Sequence, residues 1–237
     1  MYEYEMKVRY TESDTEGKMT LGAIVDCFQN AFHFEGDASG LGTQWFLDKG
    51  QGWFIYFWQI DIARFPKYGE SVIVGTFSYE DRGNTEKRNF YIKTANGEVL
   101  VKANSIWSLV DLSSLQILRI PDMLTGCEHQ EKLEMEYQKR RIRYDPALPA
   151  IEIGRHVVNS LELDSNQHLN NSAFLKIALA ALYDIEKPDV FQICIEYKKQ
   201  AVKGDLIRIF LIRSEELILD LKSATDESLA VIKLSTL

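Results

Sequence analysis

Two stretches of this chain align residue by residue at one constant offset (164 − 14 = 150): Asp14-Thr15-Glu16-Gly17-Lys18-Met19 and Asp164-Ser165-Asn166-Gln167-His168-Leu169. Only the second stretch contains an imidazole, because Lys18 occupies the position that corresponds to His168. Two carboxamides, Asn170 and Asn171, follow the second stretch directly. We interpret the pair as a duplicated fold in which only the second copy retains catalytic chemistry.

The repeat continues beyond these two motifs. Apolar residues at helical spacing follow each motif, over about 20–36 and about 171–185. The strand-like segments Ile60–Glu70 and Ile195–Asp205 then align at an offset of 135 (195 − 60). The second copy therefore lacks fifteen residues (150 − 135) between helix and strand, which correspond to the Gly- and Trp-containing segment around Gly40–Trp45.

Alternation of apolar and polar residues between turn signals predicts an antiparallel sheet in each copy. In the first copy we expect a helix near 20–36 and strands near 2–10, 53–66, 70–81, 85–95 and 98–111. In the second we expect a helix near 171–185 and strands near 153–160, 190–202, 205–213, 216–223 and 228–236. This pattern predicts an α+β fold with domains at 1–128 and 153–237, joined by a charged linker at 129–152.

Composition restricts the class of protein. The 237 residues are 46% hydrophobic and 26% charged, which excludes a disordered or fibrous chain. A net charge of −8 argues against nucleic-acid binding. No apolar leader or membrane-length apolar run is present, so we expect a cytoplasmic protein without membrane association. Cys27, Cys127 and Cys194 lack metal-type spacing, so we expect core thiols and neither a metal nor another cofactor.

The second motif and the strand that follows its helix together resemble a known family. Asp164–Asn171 is similar to the Asp-x-Asn-x-His-x-Asn-Asn signature of plant and bacterial acyl-acyl carrier protein (acyl-ACP) thioesterases, and Ile195–Lys199 is similar to their Glu-Tyr-Arg/Lys-Arg/Lys strand. The resemblance extends over essentially the whole chain. It implies two tandem hot-dog domains, each a long helix wrapped by an antiparallel sheet. It also implies hydrolysis of fatty acyl-ACP, with the first domain selecting acyl chain length and the second carrying the reaction.

One departure from the family bears on mechanism. The plant members continue after the basic pair with Glu-Cys, whereas this chain has Gln200 and Ala201 there. A cysteine nucleophile is thus absent from that position, and Cys194 lies six residues before Gln200. We therefore expect water to be the nucleophile, and whether the missing glutamate changes activity stays open.

The side chains of the second motif suit thioester hydrolysis. Imidazole is the side chain that takes up a proton near neutral pH, so His168 is the candidate general base. Asn166 can hold the water or the carbonyl, and Gln200 can orient the same water from the facing strand. We expect Asp164 to fix the loop, and backbone N–H groups at the helix start, near Asn170 and Asn171, to supply oxyanion donors.

Each of these residues also has a structural explanation. Asp164 and Asn171 can act as helix caps, as Asp14 would in the first copy, and a lone His168 can be a structural histidine. Capping explains why the aspartate recurs, but it does not explain why Asn-x-His occurs once. The other histidines, His33, His129 and His156, have no comparable neighbours, and we interpret them as structural or surface residues.

The partners are less sharply indicated. Basic side chains are the candidates for docking an acidic carrier protein with its phosphopantetheine-linked acyl chain: Arg140, Arg141, Lys198 and Lys199. Ordinary solvated surface charge is the alternative. The aromatic run Trp53–Trp58 predicts buried packing, part of which can line an acyl tunnel. The sequence leaves open the chain length, acyl-CoA as substrate, and a monomer or homodimer.

Two other classes of function stay open beside acyl-ACP hydrolysis. One is a different hot-dog enzyme, either an acyl-CoA thioesterase or a 3-hydroxyacyl-thioester dehydratase. The other is a non-catalytic acyl-binding protein, suggested by Gln200 and Ala201.

Overall fold

The computed structural model describes residues 1–121, Leu124 and 130–236, which form two compact units, Met1–Tyr137 and Gln138–Leu237. The strands and α-helices with bounds in the first unit are β1 (Tyr2–Lys7), α1 (Leu21–Ala38), α2 (Thr43–Leu47), β2 (Gln51–Ile62), β3 (Ser71–Arg82), β4 (Thr85–Thr94) and β5 (Val99–Asp111). Those of the second are β6 (Ala150–Val157), α3 (Asn171–Tyr183), β7 (Val190–Tyr197), β8 (Leu206–Arg213), β9 (Leu217–Lys222) and β10 (Ser228–Thr236).

The two units share one topology. The strands of the first unit are ordered β1-β3-β4-β5-β2, and those of the second are ordered β6-β8-β9-β10-β7, so each strand has a counterpart at the same place. The strand pairs within each unit are antiparallel. The tandem hot-dog fold expected from the sequence is confirmed.

Each long helix forms because a polar residue caps its start and one face is apolar. Thr20 caps α1 by accepting the N–H of Ala23 at 3.2 Å, and Asn170 caps α3 by accepting the N–H of Ser172 at 3.0 Å. The apolar face of α1, including Phe28, is buried against β1 and β3, and that of α3 packs on β6, β8 and β9. Each large side chain buried in this way contributes about 1.5–3 kcal/mol.

Backbone hydrogen bonds reproduce both sequence offsets. The N–H of Met19 donates to the carbonyl of Pro66 at 2.8 Å, and the N–H of Leu169 donates to that of Ala201 at 2.8 Å. The donors differ by 150 residues and the acceptors by 135 (201 − 66). In each unit the motif loop is thus hydrogen-bonded to the segment that follows one strand, β2 in the first unit and β7 in the second.

The fifteen residues absent from the second unit include α2. Its Phe46 is buried and meets the ring of Trp53 on β2 edge to face, with centroids 5.9 Å apart. The extra segment therefore adds an aromatic contact to the first unit.

Several strand boundaries differ from the sequence prediction, and two of them concern the second unit's site and linker. β7 ends at Tyr197 instead of 202, because the N–H groups of Lys198 and Lys199 both donate to the carbonyl of Leu229, at 2.8 and 3.1 Å. This double contact stops the regular ladder. β6 begins at Ala150, within the segment assigned to the linker.

Much of the segment assigned to the linker is attached to the units. In the first unit, Asn89 accepts the N–H of Leu133 and the hydroxyl of Tyr137, each at 3.0 Å. In the second, the buried carboxylate of Glu196 accepts the N–H of Ile142 at 3.0 Å. Buried polar side chains therefore hold this segment against each sheet.

The described residues can be compared with what the sequence predicted about membrane spans, metal sites and cysteines. Within the described ranges, no helix has the length and apolarity to span a membrane. The same residues contain no cluster of three or more side chains placed to hold a metal ion. Cys27 and Cys194 are buried free thiols, while Cys127 and His129 lie outside the described residues.

Candidate active site

The second motif forms a tight loop closed on Asp164. One carboxylate oxygen of Asp164 accepts the N–H groups of Asn166 at 2.8 Å and His168 at 3.2 Å. The backbone of Asp164 also donates to the carbonyl of His168 at 2.8 Å and accepts the N–H of Gln167 at 3.1 Å. These hydrogen bonds hold the loop closed, as the sequence predicted for Asp164.

The first motif forms the same loop without the imidazole. Asp14 accepts the N–H groups of Glu16 and Lys18, each at 2.9 Å, and donates to the carbonyl of Lys18 at 2.8 Å. The aspartate therefore serves the loop backbone in both units. The alternative that Asp14 and Asp164 cap the helices is wrong, because Thr20 and Asn170 do so.

The middle of the loop adopts a left-handed conformation. Gln167 has φ +63°, and Gly17 has φ +72° at the corresponding position of the first loop. Glycine adopts this region freely, whereas other residues pay about 1–2 kcal/mol. The second loop accepts this strain at the residue between Asn166 and His168.

Asn166 presents an unsatisfied polar atom. Its side chain is half-buried, and its Oδ1 is buried but accepts no hydrogen bond within the described residues. A buried acceptor without a partner costs about 1–3 kcal/mol. A donor brought by water or by a ligand would recover this energy, so the atom is suited to orient one. His168, two residues later, is also half-buried.

Gln200 does not lie on the facing strand. That prediction is wrong, because β7 already ends at Tyr197. Gln200 instead precedes Ala201, whose carbonyl accepts the N–H of Leu169, so the chain still runs beside the motif loop. Ala201 is fully buried, and no thiol occupies the place where the plant sequences carry cysteine. Cys194 is buried in the middle of β7.

Two backbone N–H groups at the helix start are already engaged. The N–H of Asn170 already donates to the carbonyl of Glu162 at 2.9 Å, and that of Ser172 donates to the side chain of Asn170 at 3.0 Å. The prediction that the N–H of Asn170 supplies an oxyanion donor is therefore wrong, whereas that for the N–H of Asn171 stays a prediction. Asn171 is the first residue of α3 and not its cap, and its carbonyl accepts the hydroxyl of Tyr197 at 2.8 Å.

The structure adds a contact next to the loop that sequence reasoning missed. Nε2 of His156 lies 2.9 Å from the carboxylate of Glu162, two residues before Asp164. Burial alone raises the pKa of Glu162, but the hydrogen bonds from the Asn159 N–H and His156 bring this pKa below its ordinary value. The sequence does contain a signal for His156: at the offset of 150 it aligns with Met6, so the first copy has no imidazole at this position either.

The proposed carrier-binding residues lie at the surface of the second unit. Arg140, Arg141 and Lys198 are exposed. Lys199 is also exposed and forms an ion pair with Glu227 at 2.6 Å. That pair reduces the positive charge that Lys199 presents to a partner.

The aromatic run of the first unit belongs only in part to its core, because Phe57 and Trp58 are buried while Trp53, Phe54 and Tyr56 are half-buried. Trp58 is fully buried, with ring centroids 5.9 Å from Phe28 and 4.9 Å from Phe90. Phe32 of α1 stacks on Trp107 of β5 at 4.2 Å. These rings connect α1 to the sheet.

The chain is similar in structure to proteins whose structures are solved. One is an acyl-ACP thioesterase from Bacteroides thetaiotaomicron, with a TM-score of 0.85, 18% identity, and coverage of 98% of this chain and 96% of that one. Another is the 12:0-ACP thioesterase from Umbellularia californica, with a TM-score of 0.84, 17% identity, and coverage of 99% and 96%. At such identities the likeness shows a shared fold.

Sequence comparison supplies the family. A curated relative, acyl-[acyl-carrier-protein] hydrolase FATB3 of Cuphea viscosissima, is 24% identical over 166 residues, which are 65% of this chain and 39% of the relative. The chain thus spans about two fifths of that relative's length. The acyl-ACP thioesterase N-terminal domain family matches residues 1–126, more than half of the 237 residues. This chain belongs to the acyl-ACP thioesterase family.

Proposed function

We propose that this protein hydrolyses the thioester of fatty acyl-ACP and releases a free fatty acid. The observation that carries the proposal is the pair of equivalent loops. The same aspartate hydrogen bonds build both, but only the loop of the second unit presents Asn166 and His168. Family membership and a curated relative that is an acyl-[acyl-carrier-protein] hydrolase support the substrate class.

The reaction proceeds by attack of water on the thioester carbonyl. His168 takes a proton from the water as its oxygen bonds to the carbonyl carbon, and Asn166 orients the water or the carbonyl through its amide. The carbon–sulfur bond then breaks, and the imidazolium returns the proton to the departing thiolate. The products are the fatty acid and the carrier protein with a free phosphopantetheine thiol.

Gln200 has a secondary part in this mechanism. Its amide cannot accept a proton from water, so it acts only by orienting water or substrate from the segment beside the motif loop. Asp164 acts through the backbone of that loop. Ala201 offers no nucleophile, and buried Cys194 is not used.

Carrier docking uses the exposed basic side chains of the second unit. Arg140, Arg141, Lys198 and Lys199 supply positive charge, and the ion pair with Glu227 lowers the charge that Lys199 presents. Charge reversal in the double variant Arg140→Glu/Arg141→Glu should raise KM for acyl-ACP and leave KM for the same acyl chain on CoA unchanged. An equal change with both substrates would contradict this docking assignment.

A product assay tests the function itself. Purified protein is incubated with acyl-ACPs and acyl-CoAs of graded length, and the products are identified by mass spectrometry. Free fatty acid from acyl-ACP supports the proposal. Hydrolysis of acyl-CoA alone would make it an acyl-CoA thioesterase, enoyl thioester from a 3-hydroxyacyl substrate would make it a dehydratase, and binding without turnover would make it an acyl-binding protein.

A further inference from the structure

His156 reaches the segment that introduces the motif loop. It lies on β6, its side chain is 29% exposed, and its Nε2 lies 2.9 Å from both carboxylate oxygens of Glu162. The N–H of Asn159 donates to the same carboxylate at 2.9 Å. The carboxylate of Glu162 thus accepts two hydrogen bonds, one from His156 on β6 and one from Asn159 just after it.

Glu162 is also joined to the helix on the other side of the loop. Its carbonyl accepts the N–H of Asn170 at 2.9 Å, and Asn170 caps α3. The five residues Asp164–His168 lie between these two attachment points. Glu162 therefore determines where the loop leaves the strand and where it returns to the helix.

The first unit has the same attachment without the imidazole. Glu12 accepts the N–H of Arg9 at 2.8 Å, and its carbonyl accepts the N–H of Thr20 at 2.8 Å. The guanidinium of Arg9 lies 3.5 Å from Glu12, and Met6 stands where the second unit has His156 (156 − 150). The glutamate is thus explained by the shared loop, but His156 occurs only in the copy that also carries His168.

We infer that His156 is a positioning residue for the reaction, because by holding Glu162 it fixes the loop that carries Asn166 and His168. This inference rests on the proposed function, since it assigns His156 to the same site. His156 does not touch the substrate in this scheme, and its effect passes through Glu162 and the loop backbone.

Two substitutions of His156 separate the hydrogen bond from mere packing. His156→Met introduces the side chain found in the first copy, and His156→Gln keeps an amide donor near the position of Nε2. We expect His156→Met to lower kcat by about ten- to hundredfold with KM changed by less than about twofold, and His156→Gln to regain most of kcat. Arg9→Ala, which alters the equivalent attachment in the first unit, should leave kcat unchanged.

Amide hydrogen exchange gives a readout that does not need activity. The N–H groups of Asn166 and His168 donate to Asp164, so their exchange should accelerate in His156→Met and return toward wild type in His156→Gln. If the wild type releases no fatty acid, the proposed function fails, while exchange still decides whether His156 fixes the loop.

Defined outcomes would overturn the inference. Unchanged kcat and unchanged loop exchange in folded His156→Met would show that the contact does not position the site. Equal loss in His156→Gln would show that packing, not the hydrogen bond, matters. If His156→Met does not fold, Glu162→Gln replaces it, because that variant weakens the same contact and keeps the carbonyl that holds Asn170.

Discussion

The carboxylate of Asp164 accepts a hydrogen bond from the backbone N–H of His168 at 3.2 Å. The same bond joins Asp14 to Lys18 in the first unit, at 2.9 Å. One backbone arrangement therefore supports an imidazole in one place and an ammonium group in the other. Matched substitutions in the two loops can separate effects on folding from effects on the reaction.

The side chains of the second loop should be essential for turnover. We expect Asn166→Ala and His168→Ala each to lower kcat by about 10²–10³-fold, since one removes a polar orienting group and the other the base. Circular dichroism and urea unfolding should show an intact fold. Lys18→Ala, at the equivalent position of the first loop, is the control. Near-wild-type turnover in either Asn166→Ala or His168→Ala would refute the site.

The two loop aspartates should matter equally for stability and unequally for catalysis. Asp164→Ala and Asp14→Ala each remove the acceptor of two backbone N–H groups, which should lower the free energy of unfolding by about 1–3 kcal/mol. Only Asp164→Ala should also lower kcat, because its loop carries Asn166 and His168. Urea unfolding and steady-state turnover measure the two effects. Equal loss of kcat in both would assign the effect to general destabilisation.

The thiol of Cys194 should be dispensable for the reaction. Cys194 is buried in β7, so Cys194→Ala leaves a small void and should cost about 1 kcal/mol of stability. Turnover of acyl-ACP should stay at the wild-type level, measured on protein whose fold is checked by circular dichroism. Loss of turnover with the fold intact would indicate a thiolate mechanism.

Stability should respond to the ionisation of Glu86 in the core of the first unit. Burial raises the pKa of Glu86 above its ordinary value of 4.5, although Arg88, 2.9 Å away, favours the charged form. A raised carboxyl pKa stabilises the folded chain below pH 4.5, and that contribution is lost as the pH rises through the folded pKa. Glu86→Gln should match the wild type in acid and become more stable than it above this range.

Glu70 provides a control of opposite sign. Hydrogen bonds from Arg64 lower the pKa of Glu70, so its contribution is present above pH 4.5 and lost as the pH falls through the lowered value. Glu70→Gln should therefore be less stable than wild type near neutrality and approach it in acid. Urea unfolding across pH measures both variants, and identical pH dependence in Glu86→Gln and wild type would contradict the assignment to Glu86.

The sequence predicted the local features of the site well. The order of Asp164, Asn166 and His168 indicated the loop, since an aspartate that binds amides two and four residues later needs only a short piece of chain. It failed for Gln200, because the two hydrogen bonds to Leu229 that end β7 come from a distant strand. It failed for Asn170 because the acceptor of its N–H, the carbonyl of Glu162, lies on the other side of the motif loop, where helix periodicity gives no signal.

By itself, the sequence determined the duplication, the α+β elements and the motif loop, because these depend on periodicity and on contacts between near neighbours. Only the tertiary structure decided which polar groups were already engaged. It paired His156 with Glu162 and attached Leu169 to Ala201. The first pairing spans only six residues but crosses the turn after β6, where neither helix nor strand periodicity applies. The second joins residues 32 apart (201 − 169), which meet only when the motif loop packs beside the segment after β7.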